Sequence, residues 1–224
     1  MKLYSGPLSL FSRKVEIALR EKGIAFEREY VPFTQDRGYA PRHPVVLAVN
    51  PKRQVPVLVD GDLELFDSTL IFEYLEDLQP TSPLYPADPR ARARCRLLEL
   101  IGDEVLSARA TQLGYRTEPP DGDARVQADR EAMGRRMEEE ISTLYAGLAD
   151  RLGSNDFFGG AFSYADISLF MAVLWGLRLR GPRLDPWPEL ARWYARVGAR
   201  PAVAVAAEEI AAADRLLSPP LQPA

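Results

Sequence analysis

Three short stretches of the chain carry side chains whose types and spacing suit chemistry on an anion. The first is Pro7-Leu8-Ser9-Leu10-Phe11-Ser12-Arg13-Lys14, a turn that runs into a helical pattern. A helix N-terminus leaves backbone N–H groups unsatisfied and carries roughly half a positive charge, so it stabilises an anion, a thiolate included. Ser9 has a hydroxyl to donate to such an anion, and Arg13 brings fixed positive charge one turn along. Equally, Ser9 accepts from first-turn N–H groups as an ordinary N-cap. The two roles are compatible, because a capping oxygen still has a proton to give. The second stretch is Asn50-Pro51-Lys52-Arg53-Gln54-Val55-Pro56-Val57-Leu58. A proline opening a strand forfeits a ladder donor. If the Val55–Pro56 bond is cis, the Val55 backbone turns outward and can pair with an extended peptide; otherwise an edge strand merely tolerates Pro56. The third is Asp67-Ser68 ahead of an apolar run. It reads as an N-cap with a first-turn acid, or as an acid for an ammonium beside a hydroxyl and N–H groups for a carboxylate, which together suit the α-amino acid end of a ligand.

Other residues have plainer readings. Ser163-Tyr164-Ala165-Asp166 fits a capping box and is read as structural, not as a catalytic acid. Cys95 stands among Arg92, Arg94 and Arg96, which would lower its pKa, although a lone helical cysteine is more often inert packing. His43 lies in a polar connection, either meeting a carboxylate or exposed and idle. Trp175, Trp187 and Trp193 fit helix packing.

The elements that must position these residues follow from periodicity. Lys2 to Ser5 is a strand; Phe11, Val15, Ala18 and Leu19 fall at helical spacing, with Gly23 closing that helix; Phe26 to Val31 alternates as a half-buried strand does. Val45 to Val49 makes a helical turn or two. Val55 to Val59 and Leu63 to Phe66 flank Asp60-Gly61-Asp62 as a hairpin, and Asp67-Ser68 opens a helix reaching Leu78. The order βαβ, connection, ββα implies an α+β, thioredoxin-like domain with a mixed four-stranded sheet, though without a Cys-x-x-C pair. Residues 80–89 are proline-rich and cannot continue a helix, so they divide a domain at 1–79 from a second one at 90–224. Beyond them strand signals stop: helices are expected over about 90–116, 124–152, 164–179, 187–197 and 201–217, an all-α bundle, with a proline-rich tail from Ser218.

Composition removes much else. The 224 residues carry 28 Lys+Arg against 32 Asp+Glu, a formal charge of −4 that gives no reason to expect nucleic acid or an anionic membrane as partner. One cysteine and one histidine rule out a disulfide framework, Cys-rich zinc sites and multi-histidine relays, and no metal is expected. The N-terminus turns polar too soon for a signal peptide, and no apolar run reaches the ~18 residues of a membrane span, so a cytoplasmic location is the expectation.

Together, LYSGPLSLFSRKVEIALREKGI, NPKRQVPVLVDG, FDSTLIFEYLED, the proline-rich linker and FSYADISLF resemble the cytosolic glutathione transferase superfamily over nearly the whole chain. The resemblance implies a thioredoxin-like glutathione-binding domain, a helical domain that completes the site of an electrophilic second substrate, and usually a homodimer. Ser9 then matches the serine that activates glutathione in theta-, zeta- and tau-like members. Gln54 matches a residue near the glycine end, Val55 the one that pairs with the cysteinyl backbone, and Pro56 the cis-proline. Asp67 and Ser68 match the pair that holds the γ-glutamyl group, and Ser163 with Asp166 a folding-related N-capping box. His43 joins the glutathione-binding candidates, while Leu8, Leu106, Arg109, Leu113 and Tyr115 are candidates for the electrophile wall. Ser5, rather than Tyr4, stands nearer the tyrosine of the alpha, mu and pi classes, and Ser9-Leu10-Phe11 departs from the zeta-like Ser-Ser-Cys run. With serine in place of the omega-like cysteine no mixed disulfide forms, so thiol-transferase activity is expected to be weak. The expected function is attack of an activated glutathione thiolate on a small hydrophobic electrophile. The alternatives are a non-catalytic binding or regulatory member, and a dedicated isomerase, lyase or dehalogenase.

Overall fold

The computed structural model describes residues 1–34, 37–40 and 42–218. The described residues form two compact units, 1–85 with 200–217, and 86–199 with Ser218.

In the first unit, β1 (Lys2–Ser5) leads to α1 (Leu10–Glu21), β2 (Glu27–Tyr30), a short α2 (Pro44–Val49), β3 (Val57–Asp60), β4 (Leu63–Phe66) and α3 (Ser68–Leu78). The sheet order is β2-β1-β3-β4, with β1 and β2 parallel and the β1–β3 and β3–β4 pairs antiparallel. Alternation along the strands serves both faces. Tyr4 and Val57 pack with Val46 of α2 and Val31 on one face. Leu3 and Leu58, one residue out of phase, point to the opposite face, and α1 packs against α3. Gly23, at φ +68°, ends α1 as expected: its N–H reaches the Arg20 carbonyl and that of Ile24 the Leu19 carbonyl. Strand β3 begins at Val57 because Pro56 has no N–H to offer the ladder.

A buried cation seals the end of this unit. The Lys22 ammonium, fully buried, lies 2.7 Å from Glu76 of α3 and donates to the carbonyls of Gln79 and Ser82, each at 2.9 Å. Glu76 also accepts from the N–H groups of Leu84 and Tyr85. Neutralising one member strands the other charge, so Glu76→Gln is expected to cost about 2–3 kcal/mol of unfolding free energy. The Lys22→Met/Glu76→Gln double variant, which keeps a side-chain acceptor for those N–H groups, should regain part of that in urea titrations; a double variant no more stable than Glu76→Gln would contradict the pairing.

The last helix, α9 (Pro201–Leu217), belongs to the first unit rather than to the helical domain where the sequence division at 90–224 placed it. Its ties are ionic. Arg200 makes a two-pronged contact with Glu21, at 2.9 and 2.5 Å, and Glu209 meets Arg13 and Arg28.

The second unit is helical: α4 (Pro89–Leu100), a π-helical turn (Ile101–Leu106), α5 (Ser107–Thr111), a 3-10 turn (Gln112–Thr117), α6 (Ala124–Leu152), α7 (Tyr164–Arg178) and α8 (Pro188–Gly198). The single helix expected over 90–116 is thus interrupted. Gly102 lies against the α7 backbone, where an added Cβ would meet the Ser168 carbonyl carbon at 3.0 Å, and the Ser107 hydroxyl donates to the Asp103 carbonyl within the same segment. Helix α7 is buried on all sides from Tyr164 to Val173, as a central helix must be. The proline-rich tail after Ser218 lies outside the described residues.

Candidate functional site

Strand register gathers the three motifs. In the antiparallel β1–β3 pair Tyr4 faces Val57, so the turn leaving β1 lies beside the segment entering β3. Phe66 pairs with Val57, which brings the residues after β4 to the same end of the sheet. Ser9, Val55-Pro56 and Asp67-Ser68 therefore share one end of the sheet, where α1 and α3 both begin. Helix N-termini at that end are natural seats for anionic groups.

Ser9 is the N-cap of α1 and only partly buried. Its Oγ accepts from the Ser12 N–H at 3.3 Å and from the Ser12 hydroxyl at 3.1 Å. With those two accepted bonds its lone pairs are engaged and its own proton is left to donate. Ser12, three residues on and itself buried, was not among the sequence candidates, although the i, i+3 spacing was there to be read. Arg13 spends its charge on carboxylates of the protein itself and does not offer it to a bound anion as its position suggested. It is 1% exposed and turned inward, to the Pro7 carbonyl and two carboxylates. Ser5 is also committed to the interior, donating to Glu16 at 2.6 Å, and Tyr4 packs on the α2 face against the His43 ring. Neither is placed to act on a ligand beside Ser9.

The Val55–Pro56 bond is cis. Val55 is half-buried over the α2-side cluster, Pro56 is buried, and Gln54 is exposed, its carbonyl accepting from Asn50 at 2.6 Å. The turn before them is shaped by Arg42, whose guanidinium donates to the Arg53 carbonyl. Asp67 caps α3, its Oδ1 accepting from Thr69 and Leu70 N–H groups at 3.1 and 3.5 Å, while its backbone sits at φ 75°, a strained value for a non-glycine residue. Lys52 rests 3.5 Å from the Asp67 Oδ2; it is an exposed turn residue that no spacing argument singled out. Ser68 is buried at the first position of α3.

Of the two readings of His43, the one in which it meets a carboxylate holds and the exposed, idle one does not. It is neither idle nor available: Nδ1 accepts the Val45 N–H at 3.3 Å as the cap of α2, and Nε2 contacts Glu29 at 2.9 Å. With both ring nitrogens engaged it leaves the candidate set. Cys95 is the packing residue of its plainer reading: it is buried, and burial pushes its thiol up to about 11 where neighbouring arginines would have pulled it down. Leu106 and Leu113 are fully buried inside the helical unit and Leu8 is nearly so, so they are core rather than the wall of a binding site. Arg109 is held by Glu140 and the Val105 carbonyl. Among the described residues no group of three His, Cys, Asp or Glu side chains could hold a metal ion.

The Ser163–Asp166 box is present and is a structural hub. Asp166 accepts from the Ser163 N–H and hydroxyl at 3.0 Å each, from the Phe158 N–H at 3.1 Å and from the Trp193 indole at 2.8 Å.

The family models for the glutathione S-transferase N-terminal and C-terminal domains match residues 3–83 and 123–196. The chain belongs to the glutathione S-transferase family. Its membership is of the cytosolic superfamily, with the thioredoxin-like and helical halves in the expected order. It is 33% identical over 204 residues to glutathione S-transferase U1 of Arabidopsis thaliana, covering 86% of this chain and 82% of the relative. It is 44% identical to the stringent starvation protein A homolog of Coxiella burnetii over 100 residues, which span 44% of each chain. A solved sphingomonad glutathione S-transferase complexed with glutathione superposes at a TM-score of 0.74 with 27% identity, covering 94% of this chain and 99% of that one. Glutathione S-transferase relatives thus include both transferases and a protein named for a starvation response. No helix among the described residues is long and apolar enough to cross a membrane.

Proposed function

We propose that the protein is a glutathione transferase in which Ser9 activates the thiol. The observation that carries this reading is the Ser9 hydroxyl at the start of α1, fed by two donors from Ser12 and retaining its own proton. A thiol of ordinary pKa ~8.5 is only a few per cent thiolate at neutral pH. Lowering it by two units requires ~2.7 kcal/mol of differential stabilisation. A hydroxyl hydrogen bond to a charged acceptor contributes ~1.5–3 kcal/mol and a helix dipole ~0.3–1 kcal/mol, which together suffice. The thiolate then attacks an electrophilic carbon. Asp67 receives the γ-glutamyl ammonium, a role supported by the Lys52 ammonium already lying against it. Ser68 and the first N–H groups of α3 take the α-carboxylate, the Val55 backbone pairs with the cysteinyl residue next to Pro56, and Gln54 serves the glycine end.

A detoxifying enzyme acting in the cytoplasm as a homodimer is consistent with this reading. Leu97 and Leu100 of α4 are about half exposed, and a second copy would cover them.

A regulatory, non-catalytic role is the second reading, favoured by the 44% identity to the stringent starvation protein A homolog. Two measurements separate them. A transferase is retained on glutathione resin and conjugates chlorodinitrobenzene; a protein that binds the resin without turning over this or other electrophiles supports the regulatory reading, and one that does neither removes glutathione from the proposal.

A further inference from the structure

The turn that presents Ser9 is held from underneath by a buried ionic cluster that draws on both ends of the chain. Within residues 6–9, the Ser9 N–H reaches the Gly6 carbonyl at 3.1 Å, and the Arg13 N–H returns to the Ser9 carbonyl at 3.0 Å. The remaining tie comes from a side chain. Arg13 donates from Nε and Nη2 to the Pro7 carbonyl at 3.3 and 3.2 Å, two residues before Ser9. Its Nη1 donates to Glu16 at 2.9 Å and to Glu209 at 2.5 Å. The same two carboxylates also receive Arg28, at 2.8 and 2.5 Å, and Glu16 takes the Ser5 hydroxyl at 2.6 Å. Arg13 and Glu16 are at most 1% exposed, whereas Glu209 on α9 is 31% exposed.

We propose that Arg13 is a positioning residue for thiol activation: held by Glu16 and Glu209, its planar guanidinium fixes the Pro7 carbonyl and so the place and direction of the Ser9 hydroxyl. This deepens the glutathione transferase reading and rests on it. A guanidinium fork fits the role because it donates to a carbonyl on one edge and to carboxylates on the other in a single rigid plane, which a lysine ammonium on a flexible stem does not reproduce. The assignment makes α9, 196 residues along the sequence from Arg13 at Glu209, part of the thiol-activating assembly.

The test measures chlorodinitrobenzene conjugation against pH for wild type, Arg13→Lys, Glu209→Gln, Ser9→Ala and the Ser9→Ala/Arg13→Lys double variant. Displacing a catalytic group by ~1 Å costs up to ~10²-fold in rate. Loosening the turn should cost less: Arg13→Lys is expected to lower kcat/KM about tenfold at neutral pH, raise the midpoint of the pH profile by about one unit, and leave KM for glutathione near wild type. Rates should converge with wild type at alkaline pH, where the thiol ionises unaided. Glu209→Gln, partly exposed and close to isosteric, should move the same midpoint in the same direction by less, and carries the test if Arg13→Lys fails to fold. In the Ser9→Ala background Arg13→Lys should have no further effect. An equal loss in both backgrounds, or a rate loss with an unmoved midpoint, would overturn the positioning role while leaving Ser9 in place. Activity untouched by Ser9→Ala would remove Ser9 from the mechanism, and this inference with it, whereas a wild-type protein that conjugates no electrophile would overturn the transferase reading itself.

Discussion

Ser9→Ala is expected to lower kcat for glutathione conjugation by about one to two orders of magnitude at neutral pH, the equivalent of the ~1.5–3 kcal/mol that a hydroxyl contributes to a charged acceptor. KM for glutathione should stay close to wild type. The tripeptide is held through Val55, Asp67 and Ser68 in this reading, and the serine acts on the sulfur only once it is charged; an interaction confined to the activated form appears in kcat and not in ground-state binding. The sign of the pH dependence follows. Without the hydroxyl the bound thiolate is less favoured, its pKa rises, and the deficit shrinks as pH rises past that value. The decisive comparison is the pH profile of the two proteins under saturating glutathione. Parallel profiles with unchanged rates would remove Ser9 from the mechanism, and a large rise in KM alone would make it a binding residue instead.

The second large effect is on stability. Asp166→Ala should lower the unfolding free energy by about 4 kcal/mol, since it strips acceptors from two backbone N–H groups, a hydroxyl and the Trp193 indole at a site with no exposure. For a chain of this size ~1 kcal/mol corresponds to ~2–4 °C, so melting should fall by roughly 10 °C. Asp166→Asn should recover only part of this, because its amide nitrogen cannot accept. Calorimetry on the three proteins checks the order; a variant melting within a degree or two of wild type would mean that water replaces the carboxylate. Burial raises the Asp166 pKa although those donors oppose the rise, so the contribution of its titration to stability falls as pH rises through the folded-state value.

How much of this was legible in the residues divides along a physical line. Features set by near neighbours in sequence were readable: Ser9 as an N-cap with a spare proton, Asp67-Ser68 opening a helix, Gly23 ending one, Ser163-Tyr164-Ala165-Asp166 as a capping box. The mixed sheet followed from strand order and its turns. Features set by distant partners were not. Arg13 looked like a charge offered to an anion because nothing near it in sequence announces Glu209, which turns it inward. His43 looked available because its cap role depends on where α2 starts and its ion pair on Glu29 in the neighbouring strand. Leu106 and Leu113 show the same limit: helical spacing identifies an apolar face but not whether a ligand or another helix covers it. The break at Gly102 likewise depends on its contact with Ser168 in a different helix.

The return of α9 to the first unit has a consequence for how the protein is made. Translation delivers β1 to β4 and α1 to α3 ahead of the second unit, yet one anionic partner of Arg13 and Arg28, Glu209, lies on α9, which is synthesised after it. At ~5–20 residues per second the ribosome needs several seconds to cover the intervening helices. Until α9 emerges, Glu16 is the one carboxylate of this cluster available to Arg13, Arg20 and Arg28.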